Sequence, residues 1–273
     1  MKLDPESILK NIKIPPRPTI LVDLMEEQRK EDPDVKKLAN LIGRDVGLSA
    51  ALIKTVNSPF YGLRSKTSSA QEAIHFLGIK NVMNLISGFA LKSAIGNAPR
   101  SVERFWSMTE SVALVSAYIA STLPGIPKDE AYTFGLFHNC GMPLLDARFP
   151  EYEALTANCR NRITDVEDER LLTNHATVGY LLTKSWNLSE EICEAAQRHH
   201  DPSVFTERNC SAKTPTLVAI AMLANNAYRT FHEIAAEGGW EEDGPFALDH
   251  LGFSELEYED LREGAHQKLA EAG

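Results

Sequence analysis

The spacing of apolar residues along the chain predicts helices almost throughout. Apolar side chains recur every three to four positions rather than every two, which is the period of an amphipathic α-helix. Val35, Leu38, Leu41 and Ile42 make one such face behind Asp34, a residue type that caps helix N-termini. No stretch of strand length alternates between apolar and polar residues. The pattern therefore predicts an all-α protein.

The same periodicity and the positions of Gly and Pro set the expected helix bounds. A helix ending at Asn57-Ser58-Pro59 is predicted from the face of Leu48, Leu52 and Val56. Further helices are expected over 70–77, from 82 to a stop near Gly96 and Pro99, and over 102–122, 129–146, 151–160, 165–185, 189–199, 214–233 and 254–270. Loops are expected over 201–214 and over 238–244 (GGWEEDG).

Domain boundaries are marked only weakly. The segment Asn97–Ser101 (NAPRS) is the best candidate for a break between helical lobes. We therefore expect an N-terminal helical lobe over 1–98, a helical bundle over 99–235 and a C-terminal helical extension over 236–273. The acidic run Glu241-Glu242-Asp243 in that extension is expected to be a solvated face.

Charge and hydropathy exclude several classes of protein. The formal net charge is −10, which repels nucleic acid and anionic lipid at long range, so neither direct nucleic-acid binding nor membrane binding is expected. No apolar run approaches the length of a membrane span, and charges interrupt the first ten residues, where a signal peptide would have its apolar core. We therefore expect a cytoplasmic protein.

The four cysteines predict no metal or redox motif. Cys140, Cys159, Cys193 and Cys210 contain no C-x-x-C pair. Four cysteines in 273 residues do not make a disulfide scaffold either. They are expected to be reduced and mostly buried thiols.

Histidines are the candidate chemical groups. His138 lies in the apolar context FGLFHNCG, and His175 and the pair His199-His200 lie at the two ends of a predicted helix–turn–helix unit. Histidines on separate helices can converge in a bundle core, where metal sites are built. Each one also has a structural alternative as a hydrogen-bonded core residue.

Several motifs occur together in one order along the chain. They are IPPRPTI, RDVGLSAALIKTVNSPFYG, AIHFLGIKNV, an H-x-x-V-G unit at His175 and a W-x-L…HH unit ending at His200. Together they resemble the HDOD family, the output-domain relatives of the HD metal phosphohydrolases, over about residues 8–230. This resemblance implies an N-terminal helical lobe packed on an HD-like helical bundle.

The resemblance also implies where metal ligands would lie. HD enzymes bind metal through a histidine, a consecutive His-Asp pair and a distant Asp, often with further histidines around a second metal. The first histidine falls on Met108, the pair on His138-Asn139 and the distant Asp on Asn225. The further histidines correspond to His175, His199 and His200.

These substitutions remove the charge that a hard cation needs. Mg²⁺ and Mn²⁺ prefer anionic oxygen ligands, whereas Asn139 and Asn225 offer only neutral carbonyl dipoles. No catalytic residue and no cofactor are therefore expected, although His138, His175, His199 and His200 could hold adventitious Zn²⁺ or Ni²⁺. Adjacent helical residues point about 100° apart, so at most one of His199 and His200 is expected to face the pocket.

Three functional hypotheses follow. The leading hypothesis is a non-catalytic signalling or scaffold module that binds a protein partner of a signalling pathway, or a small ligand in the remaining pocket. The alternative is a divergent HD-type metal-dependent phosphohydrolase. A third hypothesis, a regulator that acts on nucleic-acid machinery through protein contacts, has no motif for or against it.

Overall fold

The computed structural model of the chain describes residues 12–58, 61–63, 65–95, 100–157, 159, 162–207 and 210–272. Within these ranges the regular structure is helical and no β-strand occurs, which confirms the all-α prediction. No helix in the same ranges is both long enough and apolar enough to cross a bilayer. The backbone divides into two compact units, one of Pro16–Gly96 with Ala270–Gly273, the other of Met1–Pro15 with Asn97–Leu269.

The described part of the first unit contains five helices. They are α1 (Thr19–Gln28), α2 (Val35–Gly43), α3 (Val46–Val56), α4 (Ala70–Leu77) and α5 (Ile79–Ile95). The N-terminal caps explain where three of them begin: the side chains of Asp34, Asp45 and Ser69 accept hydrogen bonds from backbone N–H groups of the first turns of α2, α3 and α4. The sequence pattern missed α1, and Pro59, Gly96 and Pro99 lie outside the described residues.

The other helices of the described residues lie in the second unit. They are α6 (Arg100–Ser121), α7 (Lys128–Phe137), α8 (Met142–Arg148), α9 (Tyr152–Thr156), α10 (Ile163–Leu171), α11 (His175–Ser185), α12 (Glu190–Arg198), α13 (Thr214–Phe231), α14 (Trp240–Leu251) and α15 (Glu255–Ala272). A short 3₁₀ helix, Pro202–Phe205, lies between α12 and α13, in the region predicted as a loop.

Helix α13 is the centre of the second unit. Eleven of its side chains are buried, and it packs against α6, α7, α12 and α14. The core also includes side chains of α14 and α15, among them Leu248, Tyr258 and Leu261. The hydroxyl of Tyr258 donates to the carbonyl oxygen of Leu223 at 2.9 Å. The last 35 residues of this unit therefore pack on the same core as the bundle.

Three sequence predictions about elements were wrong. The expected helix 129–146 is two helices that break at His138–Gly141, and the expected helix 165–185 is two helices that break at Leu172–Asn174. The expected loop 238–244 is largely the first turns of α14, which contains Pro245. The break at Leu172–Asn174 has a local cause that the apolar periodicity does not show, because Leu172 is left-handed and Asn174 caps the next helix.

Candidate functional site

A turn between α7 and α8 places His138 and Asn139. The ring Nδ1 of His138 lies 2.7 Å from the carbonyl oxygen of Gly135, to which it donates. The Nε2 atom is therefore a lone-pair acceptor, and no described residue donates a hydrogen bond to it. Burial lowers the pKa of His138 from 6.5 to about 4, so the ring is neutral at pH 7.

Gly141 explains why the turn lies so close to α11. A methyl group on its Cα would overlap the backbone carbonyl oxygen of His175, and it would lie 2.9 Å from the amide nitrogen of Gly179. Only glycine allows this approach of two backbones. The broken helix therefore brings Asn139 beside the N-terminus of α11.

His175 is held at the first residue of α11. Leu172 adopts a left-handed conformation with φ of 58° and ends α10, and the side chain of Asn174 caps α11 by accepting from the Thr177 N–H. The carboxylate of Glu167 accepts from the backbone N–H of His175 at 2.9 Å and lies 2.7 Å from its ring Nδ1. Tyr152 donates to the other oxygen of that carboxylate at 2.5 Å. The ring of His175 is thus fixed in one orientation.

His199 and His200 follow the end of α12 at Arg198. The Nδ1 atom of His199 donates to the carbonyl oxygen of Ala196 at 2.8 Å, and the two rings lie 4.2 Å apart at their centroids. The prediction that only one of them faces the pocket was wrong, since both line the same cavity. They lie where the helix ends, so the angular spacing of a continuous helix does not apply.

The three histidines converge. The Nε2 atom of His199 lies 3.1 Å from Nε2 of His175 and 3.1 Å from Oδ1 of Asn139. One ring nitrogen from each of His175, His199 and His200 lies within 4.8 Å of the other two. His138 lies beside this group, with its ring centroid 5.8 Å from that of His199.

Asn225 reaches the same place from α13. Its side-chain amide donates to the carboxylate of Glu237, and its Oδ1 atom accepts no hydrogen bond from any described residue. Glu237 follows the end of α13, and Oε1 of its carboxylate lies 3.9 Å from Nε2 of His200. Desolvation raises the pKa of Glu237 above its usual value.

His138, His199, His200, Asn225 and Glu237 line one cavity. Its space for water is about 40 Å³, which is enough for a few water molecules or a small ion. One wall carries an ion pair in which Arg162 donates to Asp243 at 2.6 Å. Asp243 is only 8% exposed, so the prediction that its acidic run is a solvated face was wrong at this residue. The lining residues are His138, His199, His200, Val218, Ala221, Met222, Asn225, Asn226, Glu237, Gly238, Gly239, Trp240 and Asp243.

Met108 is the predicted pocket position that packs on the hydrophobic core. It is half-buried there and is not among the residues that line the cavity. The structure therefore brings six of the seven predicted positions together, namely His138, Asn139, His175, His199, His200 and Asn225.

Burial also decides the charge of the cluster. The pKa values of His199 and His200 are well below 6.5, chiefly because both rings are removed from water, and the neighbouring histidines lower them further. The rings of His138, His199 and His200 are therefore uncharged at neutral pH. Two carboxylates line the cavity, Glu237 beside His200 and Asp243 in its ion pair with Arg162.

Sequence reasoning missed Tyr152, Glu167 and Glu237. The first two fix His175, and the third supplies a negative charge next to His200. None of the three lies in a motif of the resemblance. Glu167 alone had a weak sequence signal. It lies in a short acidic helix, and its spacing from the apolar residues before it places its side chain on the buried face.

The fit to metal depends on the kind of ion. At the positions implied by the resemblance, Met108 offers only a soft sulfur and Asn139 and Asn225 carry no charge, so Mg²⁺ or Mn²⁺ lacks its anionic oxygen ligands there. Imidazole nitrogens suit Zn²⁺ and Ni²⁺. The donor set thus fits a borderline divalent ion and not a hard one.

Comparison with known proteins identifies the family. The family model of the HDOD domain matches residues 14–202, more than half of the chain. This chain belongs to the HDOD family. The HDOD match ends before α13, so Asn225 and Glu237 lie outside the matched residues.

Relatives in sequence are distant and longer. An uncharacterised protein of Treponema pallidum (strain Nichols) is 24% identical over 204 residues, which cover 69% of this HDOD chain and 38% of that protein. Protein YuxH of Bacillus subtilis (strain 168) is 36% identical over 64 residues, which cover 23% of this chain and 16% of YuxH. The chain therefore spans less than half the length of the curated relatives it matches.

Solved structures share the HDOD fold over nearly the whole chain. An HDOD domain protein with unknown function from Geobacter sulfurreducens has a TM-score of 0.73 at 22% identity, covering 98% of this chain and 97% of that one. A protein of Shewanella amazonensis SB2B, provisionally assigned as a phosphohydrolase, has a TM-score of 0.74 at 20% identity, covering 97% and 95%. A protein of Marinobacter aquaeolei VT8, provisionally assigned to signal transduction, has a TM-score of 0.69 at 20% identity, covering 100% and 61%.

Proposed function

We propose that this HDOD chain is a non-catalytic signal-transduction or scaffold module. It acts in the cytoplasm by binding a protein partner of a signalling pathway, or a small ligand in the cavity beside His200. The observation that carries this proposal is the neutral state of Asn139 and Asn225, the two positions at which the HD phosphohydrolases have carboxylate ligands.

The chemistry of hydrolysis supports the proposal. Metal-dependent phosphohydrolases need a cation that lowers the pKa of a bound water and neutralises phosphate charge. Neither amide offsets the charge of Mg²⁺ or Mn²⁺, and the thioether of Met108, half-buried against the core, is a soft ligand that suits neither ion. We therefore propose that no catalytic metal is used.

A second observation favours the alternative function, a divergent phosphohydrolase. One ring nitrogen from each of His175, His199 and His200 lies within 4.8 Å of the other two, and the carboxylate of Glu237 lies beside them. The Shewanella protein of similar fold is provisionally assigned to that class. Likeness of fold at 20% identity does not carry an activity, so the ligand chemistry decides between the two.

A hydrolysis assay separates the two functions. The purified protein is incubated with nucleotides and cyclic dinucleotides in the presence of Mg²⁺, Mn²⁺ or Zn²⁺, and products are separated by chromatography. We expect no turnover above that of heat-denatured protein. Turnover that disappears in a His138→Ala, His200→Ala double variant would overturn the proposal.

The nature of the partner is tested separately. The net charge of −10 disfavours binding to a polyanion, so we expect no change in mobility of duplex DNA or RNA at low salt, where charge effects are strongest. A salt-dependent complex with duplex DNA or RNA would show that the partner is a nucleic acid and not a protein.

A further inference from the structure

The hydrogen bonds of two histidines fix the direction of their lone pairs. His175 and His199 each use Nδ1 to donate, to Glu167 at 2.7 Å and to the carbonyl oxygen of Ala196 at 2.8 Å. Each ring therefore presents the lone pair of Nε2 on its other side. A buried histidine whose outer nitrogen donates to a carboxylate or a carbonyl is the arrangement that orients metal-binding imidazoles.

The Nε2 lone pairs of His175 and His199 face each other. The two Nε2 atoms lie 3.1 Å apart, and Oδ1 of Asn139, another acceptor, lies 3.1 Å from Nε2 of His199. The two Nε2 lone pairs repel each other at this distance unless a positive charge lies between them, whereas the side-chain amide of Asn139 can turn its N–H group toward His199. Either a proton or a metal ion meets this requirement.

His200 adds a third nitrogen to the group. Its Nε2 atom is buried and finds no hydrogen-bond partner in the described part of the chain. The His200 ring lies 5.0 Å from that of His175 and 4.2 Å from that of His199 at the centroids. A bound cation would satisfy the free nitrogen without any new protein contact.

Glu237 supplies the negative charge that the other positions lack. Its Oε1 atom lies 3.9 Å from Nε2 of His200, and the side chain is 26% exposed, so an ion can enter beside it. The nearby guanidinium of Arg162 is already paired with Asp243 at 2.6 Å. The carboxylate is thus held at the cavity mainly by the amide of Asn225.

We infer that His175, His199 and His200 bind one borderline divalent ion of the Zn²⁺ type through one ring nitrogen each, and that Glu237 completes the site through its carboxylate. That carboxylate lies outside the group of atoms within 4.8 Å of one another that the three histidines form, so its side chain turns toward His200, now 3.9 Å away, when the ion binds. This ligand set excludes Met108, Asn139 and Asn225, and its charged member lies outside the HDOD match. Three nitrogens and one carboxylate oxygen fill the four positions of tetrahedral zinc. A site with all four positions filled keeps no place for a reacting water.

The inference rests on the proposed function and identifies the small ligand as a metal ion. Zn²⁺ bound here would join the turn after α12 to the start of α11 and to the segment after α13. Binding would therefore stabilise the relative placement of three elements, so occupancy of the site can be transmitted to the surface of the same unit.

The test measures zinc binding by the full chain after removal of metal with a chelator. Titration with ZnCl₂ is followed by isothermal calorimetry, by elemental analysis after dialysis and by thermal unfolding. We expect one equivalent of Zn²⁺, no binding of Mg²⁺, and a rise of roughly 5–10 °C in the unfolding midpoint at a hundredfold excess over Kd. Co²⁺ in place of Zn²⁺ should give the strong visible absorption of a tetrahedral site.

Two variants locate the ion. Glu237→Gln keeps the size and the hydrogen-bonding reach of the side chain but removes its charge, and we expect zinc affinity to fall at least about tenfold, with a changed Co²⁺ spectrum. Glu241→Gln removes an exposed charge four residues away and serves as the matched control, with unchanged affinity. His200→Gln should also weaken binding, and its folding is checked by circular dichroism.

Each other outcome overturns the inference. These outcomes are no stoichiometric Zn²⁺, equal affinity in Glu237→Gln and Glu241→Gln, which indicates an adventitious ion only, or a Co²⁺ spectrum of an octahedral site. The proposed function fails independently of this site. If the protein binds zinc and also hydrolyses a substrate, the non-catalytic role is contradicted and the zinc site is supported. If the protein binds no metal and is inactive, the zinc site is contradicted and the non-catalytic role is supported.

Discussion

At the level of single residues, the orientation of each imidazole follows from what its Nδ1 atom meets. Gly135, Glu167 and Ala196 supply the acceptors for His138, His175 and His199. Because these acceptors are fixed by backbone or by a buried carboxylate, all three Nε2 atoms are turned toward the interior. Glu167 is the most constrained of these partners, since it is fully buried and also accepts from Tyr152.

Glu167→Gln tests this constraint. The amide keeps the size of the side chain but loses the charge and one acceptor, so either Tyr152 or His175 loses its partner. Hydrogen bonds to a buried charge contribute about 1.5–3 kcal/mol, and we expect the free energy of unfolding to fall by about that amount. Urea unfolding measures it. Glu169→Gln, exposed on the same helix, should change stability by less than about 0.5 kcal/mol; equal losses in both variants would contradict the role of Glu167.

The buried neutral state of His138 predicts a pH dependence of stability. Its pKa is about 4 when folded, against 6.5 as the reference value. Above pH 6.5 neither state binds the proton and the residue has no effect. Between pH 6.5 and 4 only the unfolded chain binds it, so stability falls as pH falls, by roughly 3 kcal/mol in total.

The measurement is the free energy of unfolding from pH 7.5 to 4 in the presence of a chelator. We expect a shallower decline in His138→Gln than in the unchanged protein, and no difference for His75→Gln, whose side chain is exposed. A decline of the same steepness in His138→Gln and the unchanged protein would assign the loss to other groups.

At the level of elements, the two helix breaks make the site. Helices over 129–146 and 165–185 satisfy the apolar periodicity, and the sequence pattern does not show where they end. The first break follows from the contact of Gly141 with the backbone of α11, and the second from the left-handed residue Leu172 and the cap at Asn174. The first contact joins residues distant in sequence, so a local pattern cannot reveal it, whereas the second break has a local signal in the capping residue Asn174.

Gly141→Ala tests the first break. The added methyl group would overlap the backbone of His175, and backbone cannot move aside as a flexible side chain can. We expect a loss of about 2–3 kcal/mol in the free energy of unfolding and a disturbed histidine cluster, seen in the NMR shifts of the ring protons. Gly43→Ala is the control, because a methyl group there meets nothing within 4 Å; it should leave stability unchanged or raise it slightly.

At the level of the whole molecule, the second unit needs the helices beyond the HDOD match. Residues 14–202 contain the histidines, but Leu217, Leu223, Leu248 and Leu261 of its hydrophobic core follow them. Glu237 also lies in this later part. The family match therefore covers the histidines of the site but leaves out several core side chains that pack in the same unit.

A truncated chain tests this dependence. Ending the chain after residue 236 removes Glu237 and the core side chains of α14 and α15. We expect loss of cooperative thermal unfolding and strong binding of a hydrophobic dye, because the apolar face of α13 becomes exposed. The substitution Leu256→Ala, at a side chain that is 69% exposed on α15, is the control and should leave unfolding cooperative. Cooperative unfolding of the truncated chain at the original midpoint would contradict the dependence.

The sequence by itself determined the all-α class, most helix positions, the family and six of the residues that meet at the site. Periodicity and caps are local properties, and the histidine motifs lie within short segments, so these features need no knowledge of the packed chain. The packed chain was needed to show that His199 and His200 both line the cavity, that Glu167 orients His175, and that Glu237 places a carboxylate beside His200. Those outcomes depend on helix ends and on contacts between distant segments, where burial and backbone approach outweigh local preference.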